Sequence, residues 1–587
     1  MLTHLKPIRF AICVTPALAL AAPAIAQTAP DLRALSDRYW DACMEHQPRR
    51  ATSIGDARFN DRLEDVSPAA RDRWTRQLES FLADAQRIPL DGLNDEDRLT
   101  RDLLERELSD SLLSAKYRNE LLPFDPLEGI QVEFPLILVD QPFRNIADFR
   151  AYFSRLRAFP RLVDDTIANA RAGLKEGWVA PRVLIEKVVP QLRTHIVDDV
   201  TKSEFYAPIT KAAELDGDTR QAIASDIQHA IRDNVVPSYR KLLDFVEKEY
   251  LPKTRDTVGI SALPGGSDVY ETKVFLNTTV RMSADELHQL GLSEVQRIRG
   301  EMARIQKEVA FGGSLDDFIG HIRTAPDQRF KSKEELVAAA DAILQRTKAL
   351  LPALFGRLPE QDIVMKEIES FRAEASPMGY YGAAPEDGSR PAFYYINTHA
   401  PQERLRFTLE ALTYHEAVPG HHFQIALHKE NTDLPKFRRY GSYTAYVEGW
   451  ALYTEKLGYE IGGYSDPYSR LGQLTFENWR ACRLVVDTGM HAKGWTRQQA
   501  IDFILKNTPM SRLDIEAEVD RYISWPGQAL AYKVGELRIL ALRKEAEKAL
   551  GAKFDVKAFH DRLLAEGAMP IDLLEQRMRQ WIKSQAG

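Results

Sequence analysis

The chain has 587 residues, 78 Lys+Arg against 85 Asp+Glu, a formal net charge of −7 and 44% hydrophobic residues. That balance supplies enough apolar side chain for a large core and enough charge for solubility, which excludes a disordered chain and a small binding module. A mean hydropathy of −0.35 agrees with a soluble chain, and a pI near 6.1 argues against electrostatic binding to nucleic acid or to an anionic membrane surface.

The N-terminus reads as a secretory signal over residues 1–26. Lys6 and Arg9 make the positive region, an apolar run follows from Phe10, and Ala24-Ile25-Ala26 is a small-x-small cleavage site. The run is short and broken by Pro16 and Pro23, which disfavours a spanning helix. The residues before Cys13 do not form a lipid-attachment site. The expectation is a soluble periplasmic or secreted protein with no stable membrane insertion after signal removal. With only three cysteines, neither a disulfide scaffold nor a thiolate metal cage is available, although pairing of Cys43 with Cys482 stays open.

From Asp31 to about Glu249 the chain reads as amphipathic helices. Phe149, Tyr152, Phe153, Leu156, Phe159, Leu162 and Ile167 recur at helical spacing, as do Leu184, Ile185, Val188, Val189, Leu192 and Ile196, and both sets predict core faces. Glycines at 259, 265 and 266 precede Val274–Val280, a run that favours strand and marks a soft boundary. Two lobes are expected, 27–260 and 261–587, with the option of one continuous domain. Capping boxes are predicted at Ser283/Glu286, Ser332/Glu335 and Thr496/Gln499. Ile363-Val-Met365, Tyr380-Tyr381 and Phe393-Tyr-Tyr-Ile-Asn397 predict a small sheet.

The chemistry concentrates next. Residues His415-Glu-Ala-Val-Pro-Gly-His-His422 hold three of the thirteen histidines. In zinc hydrolases neutral imidazoles bind the metal while an adjacent Glu takes a proton from the attacking water, usually as H-E-x-x-H with both ligands on one helical face. Here the second histidine is His421 or His422. On an ideal helix His421 stands about 240° around from His415, and His422 lies roughly 10 Å along the axis. Neither geometry clamps one ion, so Pro419 and Gly420 predict a two-residue bulge that carries His421, in preference to His422, to the ligand position. Glu448, expected on the next helix, is the candidate third ligand.

His415–His422, Glu448-Gly-Trp-Ala-Leu-Tyr453, Asp487-Thr-Gly-Met-His491, Trp525-Pro-Gly-Gln-Ala-Leu-Ala-Tyr-Lys533 and Phe559-His-Asp-Arg-Leu-Leu together resemble the bacterial family called domain of unknown function 885. That family in turn resembles helical zinc oligopeptidases of the thimet and Taq carboxypeptidase type. The resemblance implies a mainly α fold, two-lobed and zinc-peptidase-like, with a deep central cleft and a small β-sheet beside the metal-binding helix. It implies one zinc ion per chain held by His415, His421 and Glu448, with Glu416 as general base and short peptides as substrate. Tyr532 and His491 are candidate oxyanion donors. Phe393–Asn397 resembles the edge strand on which such enzymes lay substrate, with Tyr395 and Asn397 as candidate substrate contacts. A non-catalytic zinc-bearing peptide-binding protein and a metal-dependent hydrolase of another amide or ester stay open.

Overall fold

The computed structural model describes residues 28–586 apart from 213, 214, 369–372, 374, 375, 387 and 389; the signal reading of 1–26 lies outside them. Among the described residues, 72% are helical and 3% are in strands. No helix among the described residues is long and apolar enough to cross a membrane.

In chain order, the helices that matter here begin with α1 (Thr28–His46) and the long α2 (Ile146–Glu176), followed by α3 (Gly266–Thr278) and α4 (Ala284–Glu308). Next come α5 (Leu409–Glu416), α6 (His421–Glu430), α7 (Thr444–Glu460) and α8 (Pro467–Ala492). The last two are α9 (Arg512–Ser524) and α10 (Ala531–Leu550).

α2 buries the predicted stripe, including Phe149, Tyr152, Leu156 and Phe159. One hydrophobic core is built wholly from residues between Phe124 and Tyr250. A second joins the first helices, from Leu32 to Leu108, with residues from Ile260 to Ile582, so the core crosses the expected division at residue 260. The N-terminal helices therefore pack on the half that carries the histidines.

The strand expected at Val274–Val280 is a correction: residues 266–278 form α3. Val269, Tyr270, Val274 and Thr278 are buried at helical spacing, so packing outweighs the β preference of the Val-Phe-Leu-Asn-Thr-Thr run. Reciprocal capping boxes form at Ser283/Glu286 and Thr496/Gln499. At Ser332 only half of the box forms: its hydroxyl accepts from the Glu335 N–H, while the Glu335 carboxylate binds the Lys331 N–H and Arg406 instead.

The sheet has three strands, β1 (Ile363–Glu367), β2 (Gly379–Gly382) and β3 (Ala392–Ile396), in the order β1-β3-β2. β1 runs parallel to β3 and β2 antiparallel to it. β3 is therefore the central strand, and the edge-strand expectation for Phe393–Asn397 is corrected: both of its sides are already paired.

A buried ionic cluster fastens the helices around the histidines. Lys533 on α10 lies 3.0, 2.8 and 2.6 Å from Glu294 on α4, Glu477 on α8 and Glu536. Lys456 on α7 reaches Glu477 at 2.9 Å and Glu536 at 3.2 Å. Removing one member would strand a buried charge, at a cost of about 3–5 kcal/mol, so the cluster sets how these four helices sit together.

Candidate metal centre

α5 ends at Glu416 and α6 begins at His421, separated by the turn Ala417–Gly420 with a cis Val418–Pro419 bond. The expected bulge in one helix is instead a break between two. Pro419 has no N–H for a helical ladder, and Gly420 folds back on the last turn of α5. A Cβ at Gly420 would stand 1.9 Å from the His415 carbonyl oxygen and 2.4 Å from that of Tyr414, so only glycine fits. α7 holds the break from outside: the Trp450 indole N–H donates to the Pro419 carbonyl at 2.9 Å, and the Thr454 hydroxyl donates to the Tyr414 carbonyl at 3.0 Å.

The break brings His415, His421 and Glu448 together, with one ligand atom from each within 4.8 Å of the others. Glu448 Oε2 lies 3.4 Å from Nε2 of His415 and 3.4 Å from Nε2 of His421. Two ligands at about 2.0–2.1 Å from one ion and a tetrahedral angle apart are separated by about 3.3–3.4 Å, and the two spacings to Glu448 match that separation. The same Glu448 oxygen has no hydrogen-bond donor although it is buried, as an atom reserved for a cation would be.

His415 Nδ1 lies 2.8 Å from Glu455 Oε1, and Arg480 stands 3.6 Å from that carboxylate oxygen. This fixes the ring so that Nε2 faces the cluster. Burial opposes a charged imidazole at His415, but Glu448 and Glu455 outweigh it and raise the group to about 9. Carboxylates that hold a proton there favour a metal cation in its place. Against its own burial, Glu448 is held well below the usual carboxylate range by His421 and His415.

Glu416 is half-buried, and burial raises its carboxyl despite the opposing pull of His415 and His421. Its Oε2 accepts the Tyr381 backbone N–H at 3.1 Å, which ties the edge strand β2 to the end of α5. A carboxyl shifted toward neutrality and held by one hydrogen bond can take up and release a proton.

His422 stands apart from the cluster: Nε2 lies 2.9 Å from the Gln361 carbonyl and Nδ1 lies 3.4 Å from the Tyr381 hydroxyl. Tyr532 faces His415 ring to ring, with centroids 6.4 Å apart and planes 15° apart. Burial first, then Glu448, raises its hydroxyl, which stays protonated and able to donate. His491 is not placed to act on a substrate: Nδ1 accepts the Ile260 N–H at 3.1 Å and Nε2 donates to the Tyr522 carbonyl at 2.9 Å. Burial pushes it down to about 4, so the ring is a neutral tie between the residue-260 turn and α9. Asn397 is likewise inside the fold. Its amide donates to the carbonyls of Ala373, Ser376 and Pro377 at 2.7, 2.9 and 3.0 Å, and its oxygen accepts the His399 N–H at 3.0 Å. Tyr395 stacks on Tyr380 across β2 and β3, centroids 4.5 Å apart.

Two contributors escaped the sequence reading. Glu455 follows Glu448 by seven residues, two helical turns along one face, and that spacing was readable. Tyr381 contributes a backbone N–H, which no side-chain pattern announces.

The fold and this cluster define a mainly helical protein with a His-His-Glu centre able to hold a divalent metal beside a protonatable glutamate. The chain belongs to the family described as "Bacterial protein of unknown function (DUF885)", which matches residues 48–578. A crystal structure of a candidate lipoprotein from Colwellia psychrerythraea is similar at 30% identity and a TM-score of 0.90, over 95% of this chain and 99% of that one. A candidate lipoprotein of unknown function from Shewanella oneidensis shares the fold at 20% identity and a TM-score of 0.71, over 95% of this chain and 100% of that one. No curated protein matches.

Proposed function

We propose that this protein is an exported zinc-dependent peptidase that hydrolyses short peptides. The observation that carries the reading is the conjunction of Glu416 with the His415, His421 and Glu448 atoms: binding a metal needs those three, and an adjacent carboxyl on a separate hydrogen bond is what hydrolysis adds. The donor set of two imidazoles and one carboxylate suits zinc with a position left open. When bound, zinc would supply a Lewis acid that polarises the scissile carbonyl and acidifies water.

The chain's own residues do the rest. Glu416 accepts a proton from the attacking water and passes it to the leaving amine as the C–N bond breaks. Tyr532 donates a hydrogen bond to the oxygen that gains charge. β2 offers the substrate its backbone. The Asn397 N–H donates to the Met378 carbonyl at 2.9 Å, so in the antiparallel pattern residues 378, 380 and 382 face β3, and Gly379 and Tyr381 face away from it, the Tyr381 N–H toward Glu416. A peptide laid along that edge passes the Glu416 carboxylate.

Export is supported by the signal-like residues 1–26 and by solved relatives described as candidate lipoproteins. The test is zinc content and cleavage of a short-peptide library by the purified protein and by Glu416→Gln. The expected result is one zinc per chain in both and a fall in kcat of about 1000-fold in the variant. A zinc-loaded wild-type protein that cleaves no peptide overturns the reading.

A further inference from the structure

Two histidines stand side by side after Gly420, and successive residues on a helix point about 100° apart, so His421 and His422 cannot face one ion together. His421 takes the ligand position. His422 is buried as deeply, 1% exposed, yet the metal cluster makes no use of it. Its Nε2 lies 2.9 Å from the Gln361 carbonyl, which can only accept, so Nε2 carries the proton. Burial keeps the ring neutral, with its group pushed down to about 4, and Nδ1 is therefore an acceptor. The Tyr381 hydroxyl, 3.4 Å from Nδ1, donates to it. The two rings lie 5.6 Å apart between centroids.

The Gln361 carbonyl is itself fixed. Glu430, at the far end of α6, accepts the N–H groups of Glu360 and Gln361 at 2.9 and 3.0 Å, so α6 grips this turn from both of its ends. That grip sets the direction of the His422 ring, and the ring in turn holds Tyr381. Tyr381 is thus tied at two points: its hydroxyl to His422, and its backbone N–H to Glu416 Oε2 at 3.1 Å. The rest of the sheet has its own tie to α5, since the Tyr394 hydroxyl on β3 lies 3.3 Å from the Thr413 hydroxyl. Loss of the His422 contact therefore frees the β2 edge without undocking β3.

We propose that His422 is a positioning residue: through the Tyr381 hydroxyl it holds β2 where the Tyr381 N–H meets Glu416, so that one histidine of the doublet serves the ion and the other serves the base. This rests on the peptidase reading, in which Glu416 takes the proton from water. A base that is slightly misplaced costs rate, while metal and substrate still bind.

The experiment compares wild type with His422→Ala, His422→Asn, Tyr381→Phe and the two double variants. Zinc content, kcat and KM on a short peptide that wild type cleaves are measured, together with hydrogen exchange of the β2 backbone. His422→Ala and Tyr381→Phe are each expected to keep the zinc content of wild type and to lose about tenfold in kcat, with KM changed by less than about threefold. The double variant Tyr381→Phe/His422→Ala loses no more than either alone, because both substitutions cut one tether. Asparagine places an oxygen near the Nδ1 position, so His422→Asn recovers part of the rate when the Tyr381 hydroxyl is present and none of it in Tyr381→Phe. A wild-type kcat in zinc-loaded Tyr381→Phe, additive losses, or a rescue by asparagine that persists without the hydroxyl overturns the tether and leaves the peptidase reading standing. Loss of zinc from His422→Ala also overturns it, since His422 is then a ligand, and Tyr381→Phe decides should the histidine variants fail to fold. If wild type cleaves no peptide, the peptidase reading falls and exchange alone judges the tether: faster exchange of β2 in Tyr381→Phe keeps it, and unchanged exchange removes it.

Discussion

Gly449 on α7 and Gly535 on α10 meet back to back: a Cβ on Gly449 would lie 2.5 Å from the Gly535 Cα, and one on Gly535 would lie 2.8 Å from the Gly449 Cα. With no side chain between them the two backbones touch, and the residues that flank the contact converge. Glu448 precedes one glycine, and Tyr532 stands one turn before the other. Gly449→Ala or Gly535→Ala is expected to destabilise the fold by about 1–3 kcal/mol through overpacking. It is also expected to weaken metal retention, because Glu448 moves with α7. Thermal unfolding with and without a chelator measures both effects. A variant as stable and metal-tight as wild type would mean the helices separate without cost.

The two adjacent histidines are expected to behave oppositely. His421→Ala removes a ring nitrogen 3.4 Å from Glu448 Oε2 and should abolish bound metal. His422→Ala removes hydrogen bonds to Gln361 and Tyr381 but no atom of the cluster, and metal content should stay near that of wild type. Elemental analysis of the two purified variants decides the register, and the reverse pattern would reassign the ligand.

Glu455 orients His415 through a 2.8 Å contact without touching the other two ligands. Glu455→Gln is expected to lower metal affinity by about 10–100-fold while leaving one metal per chain at saturation, as carboxylates behind ligating histidines do elsewhere. Competition with a chelator of known affinity reads this directly. An unchanged constant would reduce Glu455 to a packing group.

Acid should loosen the α8–α9 contact. Burial pushes the Glu518 carboxyl up, but Arg521 and Arg483 outweigh it and hold the group at about 2, below its usual 4.5. Because the folded value is depressed, its stabilisation is present above pH 4.5 and is lost as pH falls from there through about 2. The full shift corresponds to about 3 kcal/mol at most. Denaturant titrations should show wild type losing stability over that window and Glu518→Gln showing a shallower acid limb. Parallel limbs would remove Glu518 from the account.

Most of the helical fold was legible. The α2 stripe is buried as its spacing implied, because a long amphipathic helix announces its face locally. The Val274 run misled because strand preference is weak beside tertiary burial, and β3 was read as an edge because pairing partners are not encoded in the strand itself.

What the sequence by itself determined is the set of candidates: His415, Glu416, His421, His422 and Glu448 stand out by residue type, and Pro419-Gly420 marks where the helix cannot continue. What only the tertiary structure decided is which of them meet. The break at Gly420 turns His421 toward Glu448 and His422 toward Gln361, and α7 holds that turn through Trp450 and Thr454. Spacing along one helix cannot specify a ligand set shared between three, since its geometry depends on how separate backbones pack. The same reason hid the role of the β2 edge, where a backbone N–H meets Glu416 from a strand thirty-five residues away.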